Sequence, residues 1–182
     1  LDLINGIASS SFVQNGIRFT REIFASHPDQ AIVIRLTADK AAAINVLFNL
    51  DRPERFASEI TALHGLRMFG VLDNGRGGDG MRYEAQVTPI IDGGRISSQT
   101  KAGVQIEGAN AVTLIVTAKT NYKQHYPDYT NANYQKEHLA IIKSAIAKSY
   151  ATLKDRHSRD FSSFMKRVSF QLENDTPNLP TN

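Results

Sequence analysis

Two stretches of this chain, AIVIRLT (31–37) and VTLIVTA (112–118), are apolar on both faces of an extended strand. In the first, Ile32, Ile34 and Leu36 alternate with Val33 and Arg35. Successive side chains of a strand point to opposite sides of the sheet, so such segments need cover on both sides. A two-sheet sandwich covers only one face of each sheet. Something further must pack on the outside.

The neighbouring segments keep the strand period. INVLFNL (44–50) places Ile44, Val46, Phe48 and Leu50 against Asn45 and Asn49. LRMFGVL (66–72), MRYEAQVTPII (81–91), RISSQ (95–99) and VQIEG (104–108) continue the series. Asn15-Gly16, between Phe12-Val13 and Ile17-Arg-Phe19, is a hairpin signal, because a type I′ turn needs φ > 0 at both central residues. HPDQ (27–30), Asp-Gly-Gly (92–94) and Gly-Ala-Asn (108–110) supply further turns. The opening LDLINGIASSSF also reads as strand, a start expected of a processed or excised product. Together these segments predict a mainly β fold, an antiparallel sandwich.

The missing cover comes after residue 134, where the period changes. Leu139, Ile142, Ile146, Tyr150, Leu153, His157, Phe161, Phe164 and Val168 recur every three or four residues, giving one apolar stripe per helix with Lys and Arg outside. Ser149 is placed to cap a second helix. Arg156 and Asp160 have the spacing of an i, i+4 ion pair. Beyond Arg167, Val168, Phe170 and Leu172 alternate as a closing strand, and LENDTPNLPTN reads as a Pro-rich polar linker. The expected division is a sandwich region over 1–122, a linker loop with two packed helices over 123–167, and a strand and tail over 168–182.

Composition bounds the function. Hydrophobic residues at 41% and charged residues at 21% are those of a folded domain. No apolar run approaches the ~20 residues that span a bilayer. The absence of Cys excludes disulfides and thiolate metal sites. The basic excess is local: eight Lys/Arg against three Asp/Glu over 131–172, and thirteen against thirteen before residue 131. A nucleic-acid or membrane surface would interleave aromatics on that basic face, which this segment does not. The solvated outer face of the helices is the reading adopted, with neither nucleic acid nor membrane as partner.

Gly75-Arg-Gly77-Gly-Asp-Gly80 matches a dinucleotide fingerprint in letters only, because a strand and not a helix follows it. It is expected to be a hairpin loop, and no cofactor is called for. His157 and Asp160 share a helix face, yet His157 falls on the apolar stripe and is expected to be buried against backbone rather than to bind metal. Glu84, Glu107 and Asp128 are carboxylates whose spacing pairs none of them for glycoside chemistry. No catalytic residue and no metal site is assigned. The binding candidate is NYKQHYPDYTNANY (121–134), which holds four of the six Tyr: Tyr122, Tyr126, Tyr129 and Tyr134. With His125 and Asp128 between them, Tyr122, Tyr126 and Tyr129 form a patch suited to stacking on a sugar ring. The alternative is that the rings seal the junction between sheet and helices.

Four segments in order resemble the amino-terminal domain of glycoside hydrolase family 95, the α-L-fucosidases and related α-L-galactosidases. They are GIRFTREIFASHPDQAIVIRLTADK, MRYEAQVTPIIDGG, VQIEGANAVTLIVTAKTNY and KSYATLKDRHSRDFSSFMKRVSFQL. In the last, Ser149-Tyr150, Leu153, Arg156-His157, Asp160-Phe161, Phe164 and Arg167-Val168 fall where the family pattern has them. The resemblance implies part of a β-supersandwich followed by linker helices. It also implies partners: an (α/α)6 catalytic barrel of the same protein and the glycan substrate of the full enzyme. No position matches the barrel's catalytic motifs, so this chain alone is expected to be inactive. The resemblance further implies a bacterial, secreted or periplasmic setting, and a contact of the 120–129 loop with barrel or substrate. A stand-alone carbohydrate-binding module using the 121–134 loop is the other reading.

Overall fold

The computed structural model describes residues 1–168. In chain order it contains β1 (Ala8–Gln14), β2 (Ile17–Ser26), β3 (Ala31–Ala38), β4 (Ile44–Phe48) and β5 (Ala57–Ile60). β6 (Leu66–Asp73), β7 (Asp79–Asp92), β8 (Arg95–Thr100), β9 (Gly103–Ala109) and β10 (Ala111–Thr120) follow, then α1 (Tyr134–Ile146) and α2 (Tyr150–Met165). Seven strands form one antiparallel sheet in the order β1-β2-β3-β10-β7-β6-β5, and β4-β9-β8 form a second. The β1–β2 hairpin turns at Asn15 (φ 51°) and Gly16 (φ 75°), as its Asn-Gly signal requires.

Cover lies on both sides of the doubly apolar strands, although Ile32 at the start of β3 stays partly exposed. Val112, Leu114 and Val116 of β10 face the second sheet, in a core with Val87, Leu66, Ile44, Val104 and Ile106. Val104 and Ile106 are wholly buried, and each such side chain contributes about 1.5–3 kcal/mol. The opposite face of the large sheet meets the helices: α1 lies across β10 and β7, and α2 across β2. Phe24, Val33, Ile115, Ala145 and Leu153 form the apolar part of that layer. The fold is therefore an antiparallel sandwich with two carboxyl-terminal helices packed outside it.

α2 is held by polar clamps as well as by packing. Ser149 accepts a hydrogen bond from the Thr152 amide at 3.1 Å, so it caps the helix as its position suggested. Glu22 of β2 accepts from the Tyr150 hydroxyl and from Lys154 Nζ, both at 2.6 Å. The buried Asp29 carboxylate receives Ser26 Oγ (2.7 Å) and Arg156 Nε (3.0 Å). His157 donates through Nε2 to the Gly6 carbonyl at 3.1 Å and stacks on Phe24, confirming a buried ring tied to backbone. Gly6 (φ 65°) is required there, since a Cβ would meet the Phe161 ring at 2.8 Å.

Several expectations are corrected. The opening LDL is not strand: Asp2 Oδ1 accepts from the Ile4 and Asn5 amides, closing a turn before β1. Arg156 pairs with Asp29 rather than Asp160, because the β2–β3 turn presses against that face of α2. β5 was not anticipated, having only four residues and one large apolar side chain. Leu139 and Phe164 are exposed rather than on the buried stripe. Val168 is exposed and outside regular structure, and the rest of the strand and tail expected over 168–182 lies outside the described residues.

The two sheets are unequal, and among the described residues the smaller leaves part of the larger uncovered. On the side of β1 and β2, Phe12, Ile23 and Ile32 are 40%, 41% and 44% exposed. A cavity of about 470 Å³ opens there between Phe12, Ile17 and Phe19 on one side and Ile44 and Val46 of β4 on the other.

Candidate functional site

The Tyr-bearing loop leaves β10 at Asn121 and is fastened at its base. Asn121 exchanges hydrogen bonds with the Arg82 main chain at 3.0 and 2.9 Å, and its carbonyl accepts from the Asn131 amide. Lys119 and Asn131 both reach Glu137 of α1 at 3.0 Å. The hydrogen bonds from Asn131 and then Lys119 hold the Glu137 carboxyl below its usual range. Higher up, Tyr122 pairs with Thr130 in a bridge, and its ring stacks on Tyr129 with centroids 6.2 Å apart and planes within 4°.

The tip presents Tyr126, 82% exposed, in front of Pro127. Asp128 accepts from the Thr130 amide at 2.9 Å and pairs with Lys123 at 2.9 Å, which together hold its carboxyl below the usual range. His125 is exposed between them. Tyr122, His125, Tyr126, Asp128 and Tyr129 thus stand together on one projecting loop. Tyr134 does not join them, because it opens α1 and turns toward the sheet.

There it lines a second feature, which the sequence did not announce. A cleft of about 530 Å³ lies between the first turn of α1 and strands β5, β6 and β7. Phe56, Phe69 and Tyr134 supply its rings, and Arg55, Arg67 and Arg82 its cations. Arg55 is bound to Asp73 at 2.6 Å, and Tyr83 donates to the Arg55 carbonyl at 2.9 Å. Arg67 lies over the Phe69 ring, 4.5 Å from its centroid. Arg82, alone of the three, pairs with no carboxylate among the described residues.

Beneath the cleft, Arg67 enters a buried polar network. Its Nη1 donates to Glu59 at 2.8 Å, and its Nε and Nη2 donate to Glu84. Burial works against the charge of Arg67, but its bonds to Glu59 and Glu84 outweigh this and raise its pKa further. The other Glu84 oxygen accepts from His138 Nδ1 at 2.6 Å, and His138 Nε2 meets the Thr117 hydroxyl at 2.7 Å. In a neutral ring Nε2 accepts from Thr117; in a protonated ring it donates. Glu84 and His138 are almost wholly buried, so the set works as an internal bolt between α1 and the sheet.

Sequence reasoning assigned the helix stripe to Leu139 and passed over His138. The signal was the i, i+4, i+7 spacing of His138, Ile142 and Ala145, the buried residues of α1. The three carboxylates weighed for chemistry do not converge: Glu84 is consumed by Arg67 and His138, Glu107 pairs with Arg95 in the small sheet, and Asp128 sits on the loop. Among the described residues, no three of His, Asp and Glu stand close enough together to hold a metal ion. No helix among them is long and apolar enough to cross a membrane.

Comparison with known proteins places this architecture. The family described as "Glycosyl hydrolase family 65, N-terminal domain" matches residues 1–125. "Alpha-L-fucosidase 2" of Arabidopsis thaliana is 25% identical over 199 residues, covering 98% of this chain and 24% of its own length. The protein described as "Probable alpha-fucosidase A" of Aspergillus niger is 25% identical over 187 residues, covering 94% and 23%. A solved structure described as a kojibiose phosphorylase from the human microbiome superposes with a TM-score of 0.53 at 15% identity, over 91% of this chain and 23% of that one. At that identity the superposition shows the fold alone. The chain spans about a quarter of the length of the proteins it matches.

Proposed function

Because the chain belongs to the glycosyl hydrolase family 65 N-terminal domain family, we propose that it is the non-catalytic β-domain of a glycosidase acting on α-L-fucosides or related glycans. In this reading it supports and orients a helical catalytic barrel, as its resemblance to family 95 implies. Support comes from relatives described as fucosidases, which are about four times as long. The observation that carries the role is the helix layer. α1 and α2 are bolted flat to one sheet face by buried Glu84–His138 and Asp29–Arg156 contacts, which makes a rigid platform for a neighbour rather than a pocket for chemistry. The loop carrying Tyr122, His125, Tyr126, Asp128 and Tyr129 is the surface proposed to meet barrel or substrate.

The test is turnover of nitrophenyl α-L-fucoside by the 182-residue chain. None is expected. Turnover that disappears in Glu84→Gln or Asp128→Asn would overturn the non-catalytic assignment.

A further inference from the structure

We propose that the cleft at the start of α1 is a binding site for an acidic oligosaccharide, one carrying a sugar carboxylate. The proposal rests on the glycan-directed reading above and adds to it a site and a ligand class. It stands on shape, ring content and charge together.

The cleft holds about 530 Å³, within the ~300–1,000 Å³ typical of small-ligand sites. Its lining includes Phe56, Phe69 and Tyr134, brought from two strand regions and one helix. Flat rings of this kind match the apolar faces of pyranose rings, and a tyrosine adds a polar edge. One of the rings is held in place: Arg67, itself part of the lining, stacks on Phe69. The floor is therefore set before any ligand arrives.

Charge then selects the ligand. Arg55 and Arg67 line the cleft but are already satisfied by Asp73 and by Glu59 and Glu84. Arg82 is exposed, and its main chain is pinned by Asn121 at the root of the loop. Its planar donors suit a sugar carboxylate bound through both oxygens. A neutral sugar would fill the rings and leave Arg82 to water. An acidic sugar uses both.

The experiment is a titration of the 182-residue chain with tri-galacturonic acid, followed by calorimetry or by ligand-observed NMR. Binding is expected, weakening as salt rises. The methyl-esterified trimer, which keeps the rings and loses the charge, is expected to bind about tenfold more weakly or worse. Arg82→Gln should weaken the acidic trimer by a similar factor. Phe56→Ala, at an exposed ring, should weaken both trimers. Arg167→Gln removes an equal charge at the far end of α2 and should change nothing. Equal affinity for the two trimers, or an unaffected Arg82→Gln, would overturn the site. So would preference for a peptide of alternating Phe and Asp over the sugar, which would make the cleft a protein-docking surface. Failure here leaves the domain assignment standing, whereas fucoside turnover by the isolated chain would remove that assignment and leave the cleft.

Discussion

The two faces of the seven-stranded sheet are built on different principles. Toward the second sheet, Val112, Leu114, Val87, Leu66 and Ile106 make a dry core in which only shape is specified. Toward the helices, the same strands present Glu84, Gln86, Thr88, Thr113 and Thr117, all buried. Each needs a partner, because burying a polar group without a hydrogen bond costs on the order of 1–3 kcal/mol. Gln86 bonds Thr88 at 2.9 Å, Thr113 accepts from Arg35 at 2.6 Å, and Thr117 and Glu84 share His138. The dry face supplies most of the cohesion. The polar face permits one seating of α1, since sliding it by a turn would strand His138 and Glu84 together. The difference shows how a helix pair is placed with angular accuracy on a sheet and not merely stuck to it.

The largest expected effect separates the faces by their failure. Glu84→Ala leaves Arg67 and His138 buried without their acceptor and should lower the unfolding free energy by about 3–5 kcal/mol in urea denaturation. Ile106→Ala in the dry core should cost about 2–5 kcal/mol through lost burial and a cavity. The sharper experiment replaces the set together: Glu84→Met, Arg67→Leu and His138→Phe should recover most of the loss, while amide exchange in α1 quickens as its seating loosens. A Glu84→Ala cost below about 1 kcal/mol would erase the distinction between the faces.

Capping gives a middle-sized effect. Ser149→Ala should cost about 1 kcal/mol, read as earlier fraying of α2 with α1 unchanged.

The smallest effect is the pH dependence of the Glu22 clamp. Burial alone would raise the Glu22 carboxyl, but hydrogen bonds from Lys154 and Tyr150 and the Lys154 charge hold it below its usual value. A depressed folded-state pKa gives stability that is present above the unfolded value, about 4.3, and lost as pH falls through the folded one. The stability gap between the native chain and Glu22→Gln should therefore be full near neutrality and close progressively on acidification below the ordinary carboxylate range. A gap constant with pH would show that the clamp acts through packing alone. At the alkaline end the same contact raises the Tyr150 hydroxyl pKa, chiefly through burial and then through Glu22.

Much of this was legible from residue order. Alternation placed the long strands, Asn15-Gly16 placed a hairpin, and Ser149 marked a helix start, because each signal is local and has one physical cause. The demand of AIVIRLT and VTLIVTA for cover on both sides led to the helix layer. What escaped was whatever depends on the partner. Leu139 outranks His138 in hydrophobicity, yet α1 turns His138 inward because the strand face beneath it offers Glu84 and Thr117 rather than methyl groups. Arg156 sought Asp29, 127 residues away, over Asp160 four residues on. The cleft was invisible for the same reason: Phe56, Phe69, Arg82 and Tyr134 become neighbours only through the pairing of β5, β6 and β7. The Tyr cluster was legible as a cluster, though not the departure of Tyr134 from it.

The bare region beside β4 has a practical consequence. Among the described residues β4 is hydrogen-bonded on one side only, and its other edge lies next to Phe12 and Phe19. Unsatisfied amides next to exposed rings are a template onto which another extended peptide can zip. Concentrating the chain by itself therefore invites lateral laddering between molecules from that flank, long before heat or denaturant disturbs the bolted helices on the other.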